Sequence, residues 1–381
     1  MNMWGKLGEK ELVVKFQKFC GLQWKKANHE SNSDLEITQS EKNSDEYLKN
    51  GGAEKLDIEY PDFEYNSAVH VLFYLSSALG DEQVLIALLS FVLWNIDLKA
   101  VIRVYMSLAI SLYLGQGAKD TFLAPRPPSP PVIRVEKKYA EEYSTPSTHA
   151  MIGLVVPFSL VYYTHENFEY NIYAALLIAS IYSGLVAASR VYLGMHYVKD
   201  VIYGILFEIL IMLVVLPIFK DIPIEIWCQT SPNILSLTIC CPVMLLYFYP
   251  TSTPISYNTY SDTALVLGAA AGTLVGLRFS AQNVKLVSEF VLKTQQMTTS
   301  KMIMFYVLRF AVGTITLALT RIVSKWCVTT TLTKILPSLR TTKPLNYKRH
   351  VEVPHKLITY GLVSFNAFYL APQFFKYFGL L

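Results

Sequence analysis

Residues 171–189 read NIYAALLIASIYSGLVAAS and carry no charged side chain, and residues 201–219, VIYGILFEILIMLVVLPIF, carry one, Glu208. About 20 apolar residues in a helix cross the hydrocarbon of a bilayer, where each backbone N–H and C=O must be bonded within the segment. Further apolar segments lie at about 66–80, 83–96, 98–117, 149–165, 233–250, 262–280, 302–323 and 355–377. They predict an all-α, polytopic membrane helix bundle of about nine to ten spans. Charge usage agrees, because only 16% of the 381 residues are charged, against about a quarter in a soluble domain.

The ends and the balance of charge set further bounds. Residues 1–25 mix Lys and Glu with Trp4, Val13, Val14, Phe16, Phe19 and Trp24. They predict a helix that lies on a membrane surface or packs on the protein itself, and both readings stand. Residues 26–58, rich in Asn, Ser, Glu, Lys and Asp, predict a disordered linker. No cleavable signal peptide is legible, so the first span is expected to act as the targeting signal. The chain thus divides into a polar N-terminal arm over 1–60, a core over 61–225, and C-terminal membrane helices over 226–381. A net charge of +4 with no basic block excludes a nucleic-acid footprint. The five cysteines, Cys20, Cys228, Cys240, Cys241 and Cys327, lack the spacing of a zinc site, and no metal or cofactor is expected.

Residues 119–147 depart from the apolar pattern. Pro125, Pro127, Pro128, Pro130 and Pro131 forbid a regular helix, so a structured loop at the membrane surface is expected. Three polar stretches sit at span edges: Lys119 with Arg126-Pro127; Pro146-Ser147-Thr148-His149; and Ser189-Arg190 followed by His196 and Asp200. Counting crossings brings all three to one membrane face. The polar turn Thr164-His165-Glu166-Asn167 falls on the other, which removes His165 from the cluster.

Taken singly, each residue has an ordinary role. Arg190 is a snorkelling cation at a helix end, Asp200 an acid in a first helical turn, Lys119 a flanking anchor, and each histidine an interfacial side chain. Together they suit phosphoryl transfer. Arg clamps phosphate oxygens bidentately and Lys acts as a point charge, and such clamping stabilises charge on the transferring group. His196 and Asp200 are four residues apart at a helix start and share a face. The carboxylate can hold the proton of one ring nitrogen and leave the other as a nucleophile. His149 suits protonation of the leaving alkoxide. Glu208 lies mid-span, where a carboxyl needs a partner or a role.

These stretches resemble the three-part signature of the type 2 phosphatidic acid phosphatase (PAP2) superfamily, with Thr148 where Gly is frequent. Within it, Arg126-Pro127-Pro128-Ser129-Pro130-Pro131-Val132, Glu142-Tyr143-Ser144, Pro146 to Met151, Ser189 to His196, Val351 to Pro354 and Ile358 to Gly361 are similar to the sphingosine-1-phosphate phosphatases. The resemblance covers roughly residues 60–380. It implies a phosphoric monoester hydrolase that cleaves sphingoid base 1-phosphates through a phosphohistidine on His196, oriented by Asp200. Lys119, Arg126, Ser147 and Arg190 would hold the phosphate, and His149 would donate the proton. It also implies metal independence and an endoplasmic reticulum membrane location with the site facing the lumen. A broader lipid phosphate phosphatase is the alternative, and a transporter a more distant one. The positive-inside rule pulls the other way, since Lys119, Arg126, Arg134, Lys137 and Lys138 share the site's face.

Overall fold

The computed structural model describes residues 9–25, 62–136, 141–228, 231–294, 297–335 and 348–381. The expected linker over 26–58 and the cations Lys137 and Lys138 lie outside the described residues. Each predicted apolar segment is helical. After α1 (Lys10–Phe19), a two-residue antiparallel pairing of β1 (Gln23–Trp24) with β2 (Phe63–Glu64) leads to α2 (Ser67–Ala78), α3 (Glu82–Asn95) and α4 (Leu98–Phe122). The Pro-rich loop follows, and then α5 (Thr148–Thr164), α6 (Ile172–Tyr192), α7 (Val198–Asp221), the short α8 (Ile224–Cys228) and α9 (Pro232–Tyr247). The chain ends with α10 (Ser256–Phe279), α11 (Ala281–Thr294), α12 (Thr299–Ile335), a π turn (Lys348–Glu352), α13 (Val353–Phe368) and α14 (Leu370–Tyr377).

Local chemistry sets several starts. Asn66 accepts from the N–H groups of Ala68 and Val69, Asp97 from Ala100, and Asn171 from Tyr173 and Ala174. These caps satisfy amides that a helix start leaves unbonded.

Helix length does not confirm the expected count of nine or ten spans. Among the described residues, five helices (α4, α6, α7, α10 and α12) are long and apolar enough to cross a membrane, and six spans result if α2 and α3 count as one. That pair bends by 66° at Gly80-Asp81. The 17 residues of α5 rise about 25 Å, at the lower limit of what crosses a hydrocarbon core of about 30 Å. The 16 residues each of α9 and α13 reach less. Apolar character thus marks the elements, but their ends decide whether each one spans.

α6 and α7 present exposed apolar faces, including Leu177, Ile178, Leu210 and Leu213, as lipid-facing helices do. α4 and α10 are the most enclosed of the long helices. α10 meets α13 backbone to backbone, because a Cβ on Gly268 would lie 2.1 Å from the Leu357 carbonyl oxygen and one on Gly272 2.0 Å from that of Gly361. Small residues at such crossings let helices approach closely in a membrane. Trp94 closes this side. It is fully buried, donates from Nε1 to the Ala367 carbonyl at 3.0 Å, and lies against Gly313. α1 packs on the protein: Val13, Gln17 and Leu22 are buried.

Candidate active site

All seven residues singled out by spacing are buried at one end of the bundle. α4 delivers Lys119 in its last turn, and the Pro-rich loop delivers Arg126. Ser147 and His149 open α5, Arg190 sits in the last turn of α6, His196 lies in the turn to α7, and Asp200 in the first turn of α7. His165 lies elsewhere, beside Tyr162 and Glu166, with Lys220 bonded to the same Glu166.

The histidine in the α6–α7 turn is the centre. Arg126 Nη1 lies 3.2 Å from His196 Nε2 and also donates to the Met195 carbonyl at 2.7 Å. A guanidinium only donates, so Nε2 is the accepting, unprotonated nitrogen and the ring proton sits on Nδ1. Asp200 reaches Nδ1 only at 3.9 Å. The structure connects the two through a hydroxyl: Ser144 Oγ stands between them, 3.3 Å from Nδ1 and 2.5 Å from Asp200 Oδ2. Asp200 is itself fixed by Thr145 Oγ1 at 2.6 Å and by the Tyr197 N–H at 2.9 Å. Burial, and then the charges of Arg126, Arg190 and Lys119, hold His196 well below the ordinary imidazole value, so its ring is neutral at physiological pH.

Two loop carboxylates face the cations. Glu142 Oε2 lies 3.0 Å from Lys119 Nζ and 3.6 Å from Arg126 Nη2. Arg190 Nη1 bonds Glu136 Oε2 at 2.9 Å and the Ser77 hydroxyl at 2.5 Å. Burial works against ionisation of Glu142, but Lys119 and Arg126 outweigh it and hold its carboxyl below the usual range. Burial pulls Arg126 down to about 10, with Glu142 opposing and Arg190 adding to the pull; it remains a cation at neutral pH. Among the described residues, Ser147 Oγ and Arg190 Nε and Nη2 are buried without a hydrogen-bond partner, in positions where phosphate oxygens would satisfy them.

Ser147 is held by backbone contacts: its N–H donates to the Asp200 carbonyl at 3.1 Å, and a Cβ on Gly204 would meet its own carbonyl oxygen at 2.7 Å. His149 Nε2 lies 3.5 Å from Asp81 Oδ1, and a Cβ on Gly80 would come within 3.0 Å of its ring. The bend between α2 and α3 thus seats the second histidine. A cavity between α3, α4, α5, α10, α12 and α13 has Glu142, Thr148 and His149 in its wall and is otherwise lined mainly by apolar side chains such as Leu85, Leu112, Ile152 and Val266. Glu208 finds its partner away from the site, accepting from Ser111 Oγ at 2.8 Å.

Spacing did not single out Ser77, Asp81, Glu136 or Ser144. Ser144 and Glu142 stood within a motif of the resemblance without a role. Ser77 and Asp81 gave no signal, because their partners lie far along the chain.

Residues 100–223 match the PAP2 superfamily. The chain is 33% identical over 319 residues to human sphingosine-1-phosphate phosphatase 2, covering 83% of this chain and 79% of that one. It is 33% identical over 321 residues to mouse sphingosine-1-phosphate phosphatase 1, covering 83% and 74%. A dihydrosphingosine 1-phosphate phosphatase of Schizosaccharomyces pombe is 26% identical over 198 residues, covering 49% and 47%. No solved structure matches the chain.

Proposed function

The chain belongs to the sphingosine-1-phosphate phosphatases of the PAP2 superfamily, and from that premise we propose that it hydrolyses a sphingoid base 1-phosphate at the membrane face through a phosphohistidine on His196. The observation that carries this reading is the contact of Arg126 with His196 Nε2. It leaves the ring's lone pair pointing into a pocket of buried cations, with the opposite nitrogen turned toward Ser144 and Asp200.

The substrate dianion takes the place of the Glu142 and Glu136 carboxylates on Lys119, Arg126 and Arg190, and its oxygens satisfy Ser147 Oγ and the remaining Arg190 donors. His196 Nε2 attacks phosphorus as the bond from phosphorus to the C1 oxygen of the lipid breaks. His149, seated against Asp81, passes a proton to that oxygen. Water then attacks the phosphohistidine, His149 takes its proton, and phosphate leaves. Charge stabilisation comes from side-chain cations, so activity is expected to persist in chelator. The apolar cavity that opens beside His149 receives the hydrocarbon tail, which suits a lipid over a sugar phosphate.

Phosphate release from sphingosine 1-phosphate, dihydrosphingosine 1-phosphate, phosphatidate and glucose 6-phosphate by the purified protein tests the reading. Sphingoid substrates are expected to be preferred, and His196→Ala to lower turnover by roughly 10³-fold or more. Equal turnover of phosphatidate favours the broader phosphatase, and an active His196→Ala protein removes the phosphohistidine. We place the site in the lumen of the endoplasmic reticulum, where the cations of this face have a catalytic reason to defy the positive-inside rule. A cysteine introduced at the exposed Glu141 in sealed microsomes is expected to resist labelling from the cytosolic side.

A further inference from the structure

Beyond the catalytic groups, the N-terminal helix reaches the same machinery. Gln17 is buried, yet its carboxamide is bonded on both edges: Nε2 donates to the Ile133 carbonyl at 2.7 Å and to the Tyr192 carbonyl at 2.9 Å, and Oε1 accepts from the Ile133 N–H at 3.0 Å. Ile133 belongs to the Pro-rich loop that carries Arg126. Tyr192 lies two residues after Arg190 and four before His196. A single side chain therefore ties the clamp loop to the turn that bears the nucleophile.

The loop needs outside partners, because prolines lack the N–H that would stabilise a local fold. Further bonds run to the same two regions. Trp24 Nε1 donates to the Pro131 carbonyl at 3.1 Å, and the Val135 N–H to that of Leu193 at 3.1 Å. Gly194, at φ +70°, allows the close approach, since a Cβ there would lie 2.3 Å from the Ile133 carbonyl oxygen. Apolar contacts reinforce the seat: Val13 packs with Val132 and Val191, and Leu22 with Ile133, Tyr192 and Met195. On the inner side of the same junction, Arg126 bonds the Met195 carbonyl and His196. Gln17 is the outer pin of a joint whose inner pin is Arg126.

We propose that Gln17 is a positioning residue for hydrolysis, and that the N-terminal helix is a strap which sets the distance between Arg126 and His196. The inference rests on the phosphohistidine reading above. A loosened joint lets Arg126 drift from His196 Nε2, which weakens both the clamp and the cationic surroundings that add to burial in keeping the ring neutral.

The test uses the full-length purified protein in detergent, with folded fraction measured beside kinetics on sphingosine 1-phosphate. Gln17→Glu keeps the size and the acceptor but turns a donating edge toward two carbonyls into an anion; Gln17→Leu removes all three bonds. Both are expected to lower kcat/KM per folded molecule at least tenfold, to raise KM, and to move the acid limb of kcat/KM upward. Trp24→Phe, which deletes one bond and keeps an aromatic side chain, is expected to move the same parameters less, and it stands in if the Gln17 variants do not fold. Lys18→Gln, at an exposed position, serves as the unaffected control. Activity that falls only in step with folded protein, with KM and the acid limb unchanged, overturns the proposal, as does a wild-type Trp24→Phe if that is the variant that folds. His196→Ala, run in parallel, separates the two readings. If it stays active the phosphohistidine fails; if it is dead while the strap variants match wild type, the strap alone fails.

Discussion

The segment from α4 to α7 and the pair formed by α10 and α13 are both tightly packed, but for opposite reasons. Between α4 and α7, packing encloses charge. Lys119, Arg126, Arg190, His196 and Asp200 are buried, and each is held by a polar partner such as Glu142, Glu136 or Ser144. Between α10 and α13, packing is a matter of shape, with Gly268 and Gly272 against main-chain carbonyls. Buried charge is costly unless every partner is present, so the first region is sensitive to chemistry. Backbone contact tolerates no added atom, so the second is sensitive to volume.

Asp200→Asn sharpens this contrast most. It preserves volume but offers an amide donor to hydroxyls and an N–H that already donate. Turnover is expected to fall by roughly 10²-fold or more, with Tm less affected than activity; wild-type turnover would remove Asp200 from the mechanism. Ser144→Ala, which cuts only the bridge to His196, is expected to cost less, about tenfold. If Ser144→Ala matches or exceeds Asp200→Asn, then Ser144 is more than a bridge.

Gly272→Val should show the converse. A Cβ 2.0 Å from the Gly361 oxygen forces the helices apart and is expected to destabilise by about 1–3 kcal/mol or more, read as a drop in thermal midpoint in detergent. The remaining folded protein should keep its KM for short-chain substrates, because the phosphate site lies in the other region. A normal thermal midpoint with lost catalysis would break the comparison.

The smallest expected effect is a displacement on the pH axis. His196 loses its nucleophilic lone pair as pH falls through its folded pKa. Burial first, and then Arg126, Arg190 and Lys119, depress that value below the ordinary imidazole value of about 6.5. The acid limb of kcat/KM is thus expected below pH 6.5, and Lys119→Gln should shift it upward. A phosphorothioate analogue, whose own ionisation lies lower, keeps the substrate from setting the limb. A wild-type limb at or above 6.5 would show that the surroundings do not disfavour the imidazolium.

Sequence alone determined the apolar elements and the one-faced cluster of seven polar residues. Each depends on neighbours within a turn or on the parity of crossings, and both are properties of linear order. Tertiary structure decided what linear order cannot hold: which helices are long enough to span, and which side chains partner the clamp. Ser77 meets Arg190 across 113 residues of chain and Gln17 meets Tyr192 across 175, so no local pattern announces them. The same holds for Ser144 between His196 and Asp200. Spacing places an acid four residues from a histidine on a helix face, but only the folded loop shows a hydroxyl set between them.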